Sequence, residues 1–154
     1  MHVVFKLAPI LLAIFCFTSC GKCDCIDENI SPNFISYDSL ETDTIIIRKY
    51  AKNTNFTALI DTAFFDDKSS FRIKLHDDTL SFPYHVGNFS ISVNYDWIFF
   101  LPSINRAIRI SDIVSEKTSM PCGTGKVQCV NPIESLKIDG VISKAEDYNF
   151  YISK

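Results

Sequence analysis

The sequence predicts an all-β chain, an antiparallel β-sandwich with at most one short helix, and three observations carry that expectation. The clearest is period two. Phe89, Ile91, Val93, Tyr95, Trp97, Phe99 and Leu101 fall on alternate positions, with Ser90, Ser92, Asn94 and Asp96 between the first of them. The second is Thr44-Ile45-Ile46-Ile47, a β-branched run too short for a helix and apolar enough to be buried on both faces. The third is punctuation: short apolar stretches recur between turn residues, and no internal repeat or interdomain linker interrupts them.

Taken in order, residues 20–42 hold few large apolar residues in any period and read as a tether, although Phe34, Ile35 and Tyr37 could pair as a first edge strand. The run Thr44 to Ile47 opens the body. Phe56, Leu59, Ile60, Ala63 and Phe64 then fall at helical spacing and supply the one short helix, in competition with a strand broken by turns. Phe71 to Leu75 and Leu80 to Tyr84 alternate on either side of His76-Asp77-Asp78-Thr79 and predict a hairpin, with Pro83 marking an edge. The strand from Phe89 to Leu101 carries Trp97 as core anchor and stops at Pro102-Ser103. Arg106 to Ile110 returns, and residues 133–138 and 148–153 add two more strands, with Asp139-Gly140 as a tight turn.

The first twenty residues have a different character. His2 and Lys6 make a weakly basic start, Leu7 to Phe17 form an apolar run interrupted by Pro9, and Phe17-Thr18-Ser19-Cys20 places small residues before a cysteine. The run falls short of the ~20 residues that span a bilayer. The pattern resembles the bacterial lipobox, with Phe17 where that family usually carries Leu, Val or Ile. The resemblance implies that residues 1–19 are a signal peptide, and that Cys20 is acylated, with palmitate among its acyl groups, and becomes the mature N-terminus. It also implies a membrane anchor, since each buried CH₂ contributes about 0.8 kcal/mol and several chains together hold stably. The expected organisation is signal peptide 1–19, lipid-anchored tether 20–42 and sandwich domain 43–154.

Removing residues 1–19 deletes Lys6, the one charged side chain there, and takes the formal charge from −3 to −4. No basic stripe remains to neutralise phosphates, which argues against nucleic acid as a partner. Thirteen phenylalanines against only five glycines describe a packed globule rather than a disordered filament. Export would place Cys23, Cys25, Cys122 and Cys129 in an oxidising compartment, where they permit three full pairings. The short glycine-containing loop between them favours Cys122 with Cys129, a bridge that would contribute about 2 to 3 kcal/mol. Cys23 and Cys25 read as tether cysteines, because two ligands do not complete a metal site, and no metal or cofactor is expected. His76 and His85 could be proposed as the missing ligands, but His76-Asp77-Asp78-Thr79 reads as an ordinary polar hairpin turn.

No motif predicts catalysis. Gly123-Thr124-Gly125-Lys126 lacks the glycine, the hydroxyl residue and the following helix of a phosphate loop, and there is no nucleophile-elbow serine or zinc-binding His pair. One recurrence exceeds composition: Asp38-Ser39-Leu40, Asp43-Thr44-Ile45, Asp61-Thr62-Ala63 and Asp78-Thr79-Leu80 share Asp, a hydroxyl residue, then an apolar one. It resembles the O-glycosylation acceptor of exported Bacteroidota proteins and would make Ser39, Thr44, Thr62 and Thr79 acceptors. The same dipeptide is also a natural turn that begins a strand.

The lipobox, Thr44 to Tyr50, Asn94-Tyr95-Asp96-Trp97 leading to Leu101-Pro102-Ser103, and Cys122 with Cys129-Val130-Asn131-Pro132-Ile133 resemble small Bacteroidota envelope lipoproteins of unassigned function with an immunoglobulin- or transthyretin-like sandwich. The resemblance implies a lipid-anchored protein of the bacterial cell envelope, at the outer membrane. It would act as a non-enzymatic binding or structural module that contacts another envelope protein or glycan. The alternative is an envelope hydrolase whose site assembles from dispersed carboxylates with His76 or His85.

Overall fold

The structure, a computed structural model, describes residues 22–27, 29–66, 74–76, 78–82, 85–86, 89–121, 129–146 and 148–154. The chain runs through β1 (Lys22–Asp24), β2 (Ile26–Asp27) and β3 (Ser31–Ile35) into β4 (Thr44–Ala51) and β5 (Leu59–Asp66). Four short strands follow: β6 (Lys74–His76), β7 (Thr79–Ser81), β8 (His85–Val86) and β9 (Phe89–Ser90). Then come β10 (Tyr95–Leu101), a single 3-10 turn at Pro102–Ile104, and β11 (Arg106–Ser115). The last are β12 (Ser119–Pro121), β13 (Val130–Asn131), β14 (Ile133–Ile138), β15 (Val141–Lys144) and β16 (Asn149–Ser153).

Two sheets pack as a β-sandwich. One is six-stranded, in the order β15-β14-β11-β10-β4-β5, and entirely antiparallel; the other is four-stranded, in the order β16-β3-β7-β6. Within the four-stranded sheet β16 and β3 run parallel and the other pairs antiparallel. Ile47, Trp97, Phe99 and Ile108 from the larger sheet meet Phe34, Leu80, Phe150 and Ile152 from the smaller in one apolar core. Edge-to-face ring contacts cross it, with Phe34 and Phe82 each 6.4 Å from Phe99 and Phe65 5.2 Å from Phe82.

The chain divides into two compact units. Asp27–Glu116 and Asn131–Lys154 form the larger, which contains both sheets of the sandwich. The described residues up to Ile26 and within Lys117–Val130 form the smaller, where β1 pairs with β12.

Several elements depart from the sequence expectation. No α-helix lies among the described residues, and the short helix expected over 56–64 is a turn followed by β5. Ile60 and Phe64, four apart, satisfy a helical and a period-two pattern equally, so spacing alone does not separate them. Asn53, Asn55 and Phe56 instead take left-handed backbone (φ 63°, 49° and 58°) and turn β4 into β5. The stretch expected as a tether is also largely body: Ile30, Phe34, Tyr37 and Thr42 are buried, and β3 lies inside the smaller sheet. Its partner β16 comes from the far end of the chain, a pairing that local polarity does not reveal.

The long strand expected from Phe89 to Leu101 is two strands separated by a turn. The Asn94 N–H donates to Ser92 Oγ at 3.3 Å, and the Trp97 indole N–H donates to the Ser92 carbonyl at 2.9 Å. Ile91 and Val93 still point into the core, which is why the alternation reads as continuous. The hairpin expected around residue 78 forms as β6 and β7; Phe71, Ile73, Asp77, Pro83 and Tyr84 lie outside the described residues. Asp139 and Gly140 form the expected tight turn, both at positive φ (49° and 85°), as a two-residue hairpin with right-handed strand twist demands.

Candidate interaction surface

The alternation that buries Ile47, Phe99 and Ile108 forces their neighbours onto the outer face of the six-stranded sheet. Phe64, Ile46, Phe100 and Ala107 line up in register across β5, β4, β10 and β11. Thr62, Arg48, Ile98 and Arg109 form the next row. Phe64 is 70% exposed, and Ala107 is exposed as well. The Arg48 guanidinium lies 5.7 Å from the centre of the Phe100 ring, where the cation is attracted to the ring face. Beyond β11 the face continues on β14 and β15 with Lys137, which pairs with Asp112 at 2.8 Å, and with Ile142, 72% exposed.

The β5 edge is guarded. Its pairing with β4 shifts between Lys49 and Tyr50, so that Asp61 faces Lys49, Leu59 faces Tyr50, and Ile60 is the extra residue of a bulge. The Thr62 N–H is capped by Asp61 Oδ1 at 2.8 Å. A bulge and an edge carboxylate both discourage unplanned strand addition. The uncovered apolar residues of this sheet therefore lie on a face beside a blunted edge.

One end of the face is polar. Asp96 is buried at the start of β10; its Oδ2 accepts the Asn53 N–H at 3.0 Å, while Oδ1 has no hydrogen-bond partner among the described residues. Burial raises its carboxyl above the ordinary aspartate value, the Asn53 hydrogen bond opposes this, Asp112 adds to it and Lys52 opposes it. The Lys52 ammonium donates to the Val93 and Ile113 carbonyls at 3.3 and 2.8 Å, tying the β4–β5 turn to β11. Among the described residues no group of three or more His, Cys, Asp or Glu is placed to hold a metal ion.

The cysteines of the smaller unit are arranged differently from the sequence expectation. Cys25 and Cys129 form a disulfide with Cα atoms 4.8 Å apart across a separation of 104 residues, so Cys129 is not available to Cys122. The pairing follows from strand register: the Cys25 N–H donates to the Thr118 carbonyl at 3.3 Å and the Ile26 N–H to the Cys129 carbonyl at 3.1 Å. The Thr118 hydroxyl donates to Cys25 Sγ at 3.3 Å. Cys23 is disulfide-bonded as well. Cys20 and Cys122 lie outside the described residues.

The remaining sequence candidates scatter over the molecule. Ser39 sits exposed in the turn before β4, Thr62 is exposed on the outer face, and Thr44 and Thr79 are half-buried at strand starts. Sequence reading does not single out the outer row, because its four residues come from four strands and Phe64 also fits a helical spacing. No protein family, curated protein or solved structure matches this chain. Among the described residues no helix is long and apolar enough to cross a membrane.

Proposed function

We propose that this chain is a lipid-anchored protein of the bacterial cell envelope, at the outer membrane. It is exported by residues 1–19, held by acylated Cys20, and works as a binding or structural module through the outer face of its six-stranded sheet. The observation that carries the binding role is the row Phe64, Ile46, Phe100 and Ala107, an apolar stripe running through four strands with Phe64 largely in water. A contiguous apolar stripe of this kind, exposed at Phe64 and Ala107, half-buried at Ile46 and Phe100 and flanked by arginines, has the composition of a recognition surface. The partner is another envelope protein, with a glycan as the competing occupant. Where Asp-Thr or Asp-Ser steps carry O-glycans, Ser39 and Thr62 are the exposed acceptors.

The test places a photo-crosslinking side chain at Ala107 in the full chain expressed in a bacterial envelope, with Leu40, 73% exposed in the turn between β3 and β4 and outside this row, as control. A discrete adduct at Ala107, protease-sensitive, absent at Leu40 and lost on Phe100→Lys, is expected. An adduct that resists protease and yields to glycosidase would assign the face to a glycan. Equal capture at Leu40, or none at Ala107, would remove the face from the account.

A further inference from the structure

We infer that the outer face of the six-stranded sheet receives an acidic protein surface, with Arg48 and Arg109 binding its carboxylates beside the apolar contact. The inference rests on that face being the contact surface, and it names the chemistry of what meets it. Arg48, Ile98 and Arg109 stand in one row across β4, β10 and β11, next to the row of Ile46, Phe100 and Ala107. With neighbouring strands about 4.8 Å apart, the backbones that carry the two arginines are roughly 10 Å from each other. Arg109 is exposed and Arg48 half-buried. Among the described residues neither guanidinium has a carboxylate within ion-pair distance.

The carboxylates around these arginines are engaged in other ways. Asp112 pairs with Lys137 at 2.8 Å, Asp139 Oδ1 accepts the Arg109 backbone N–H at 2.8 Å, and Asp96 is buried with Oδ2 on the Asn53 N–H. Asp66 ends β5, opposite Thr44 and two residues beyond Phe64. Two arginines without carboxylate partners, in a chain whose formal charge is −3, leave the complement to be supplied from outside. A guanidinium fork matches a carboxylate with two parallel hydrogen bonds, which a point charge does not.

The apolar row decides between an acidic protein and an acidic glycan. Sugar hydroxyls laid over Ile46 and Ala107 would lose water and find no side-chain hydrogen bond in return, and the Phe100 ring already has the Arg48 guanidinium 5.7 Å from its centre. A protein supplies apolar side chains for the row and Asp or Glu for the arginines, the arrangement of apolar centre and polar rim that interfaces use. The arginines then govern encounter and its salt dependence, while the apolar row holds the complex.

The test titrates the full chain, extracted in detergent, into a fluorescent peptide of alternating Leu and Glu. Peptides with Ser or Lys in place of Glu, and polygalacturonate as a carboxylate glycan, are the comparisons. The Leu-Glu peptide should bind best, and its affinity should fall as ionic strength rises past about 0.1 M, where the screening length is roughly 10 Å. Arg48→Gln with Arg109→Gln should weaken it roughly tenfold or more. Arg48→Glu with Arg109→Glu should turn the preference to the Leu-Lys peptide, a gain that misfolding does not produce. A Leu-Glu peptide bound no better than Leu-Ser or polygalacturonate, or unaffected by the arginine variants, overturns the inference. The crosslink at Ala107 separates this from the face itself: an adduct lost on Phe100→Lys but kept in the Gln double variant leaves the face standing and removes the acidic partner, whereas no adduct at all removes both.

Discussion

Trp97 and Asp96 are neighbours in β10 that face opposite ways, and they show what each side of the larger sheet costs. Trp97 is fully buried, its ring 6.0 Å from Tyr95 and its indole N–H bonded to the Ser92 carbonyl. Trp97→Ala removes the largest side chain of the core and leaves that carbonyl without its donor; a loss of about 3 to 5 kcal/mol is expected from equilibrium denaturation. A loss under about 1 kcal/mol, the range of surface changes, would contradict the core placement. Asp96 works in the other direction. Because burial raises its carboxyl in the folded state, the native chain holds the proton more tightly than the unfolded one. Its contribution is therefore fully present below the ordinary aspartate value and is lost as pH rises through the raised one. Asp96→Asn, which retains an acceptor for the Asn53 N–H, should be at least as stable as the parent at neutral pH. It should also flatten the fall in stability over that acid window, read from urea midpoints across pH.

At the scale of elements, the sequence is most legible where a strand has one wet face and least where partners are distant. Asp139-Gly140 and the hairpin of β6 and β7 are local, and both are visible in turn chemistry alone. β3 and the Cys25–Cys129 bridge are not, because their partners lie more than a hundred residues away. The preference for a short Cys122–Cys129 loop follows from locality, whereas the fold sets Cys25 beside Cys129, with the Ile26 N–H bonded to the Cys129 carbonyl. β5 is ambiguous for another reason: positions 60 and 64 fit both periods. Adjacent substitutions separate the two readings. In the strand, Phe65 points into the core and Phe64 into water, so Phe65→Ala should cost about 3 to 5 kcal/mol while Phe64→Lys stays within about 0.5 kcal/mol. Large losses at Phe64 with tolerance at Phe65 would argue for a helix.

For the whole molecule, the all-β sandwich is legible because alternation, β-branched runs and turns agree with one another. The extent of the body is not. Polar residues such as Asn33, which donates to Asn149 Oδ1 at 3.2 Å inside the smaller sheet, make the stretch before β4 look like linker. The candidate surface is legible only after folding, since its four residues come from four strands and no local motif unites them. The reading of a lipid-held body rests instead on the segment ending at Cys20, and it makes a direct chemical claim. The decisive measurement is the mass of the N-terminal peptide of the protein extracted from bacterial membranes. The account predicts a peptide that begins at Cys20 and carries acyl chains, with Cys20→Ala abolishing both the cleavage and the lipid. A membrane-extracted protein that begins elsewhere, or whose Cys20 carries no acyl group, would contradict it.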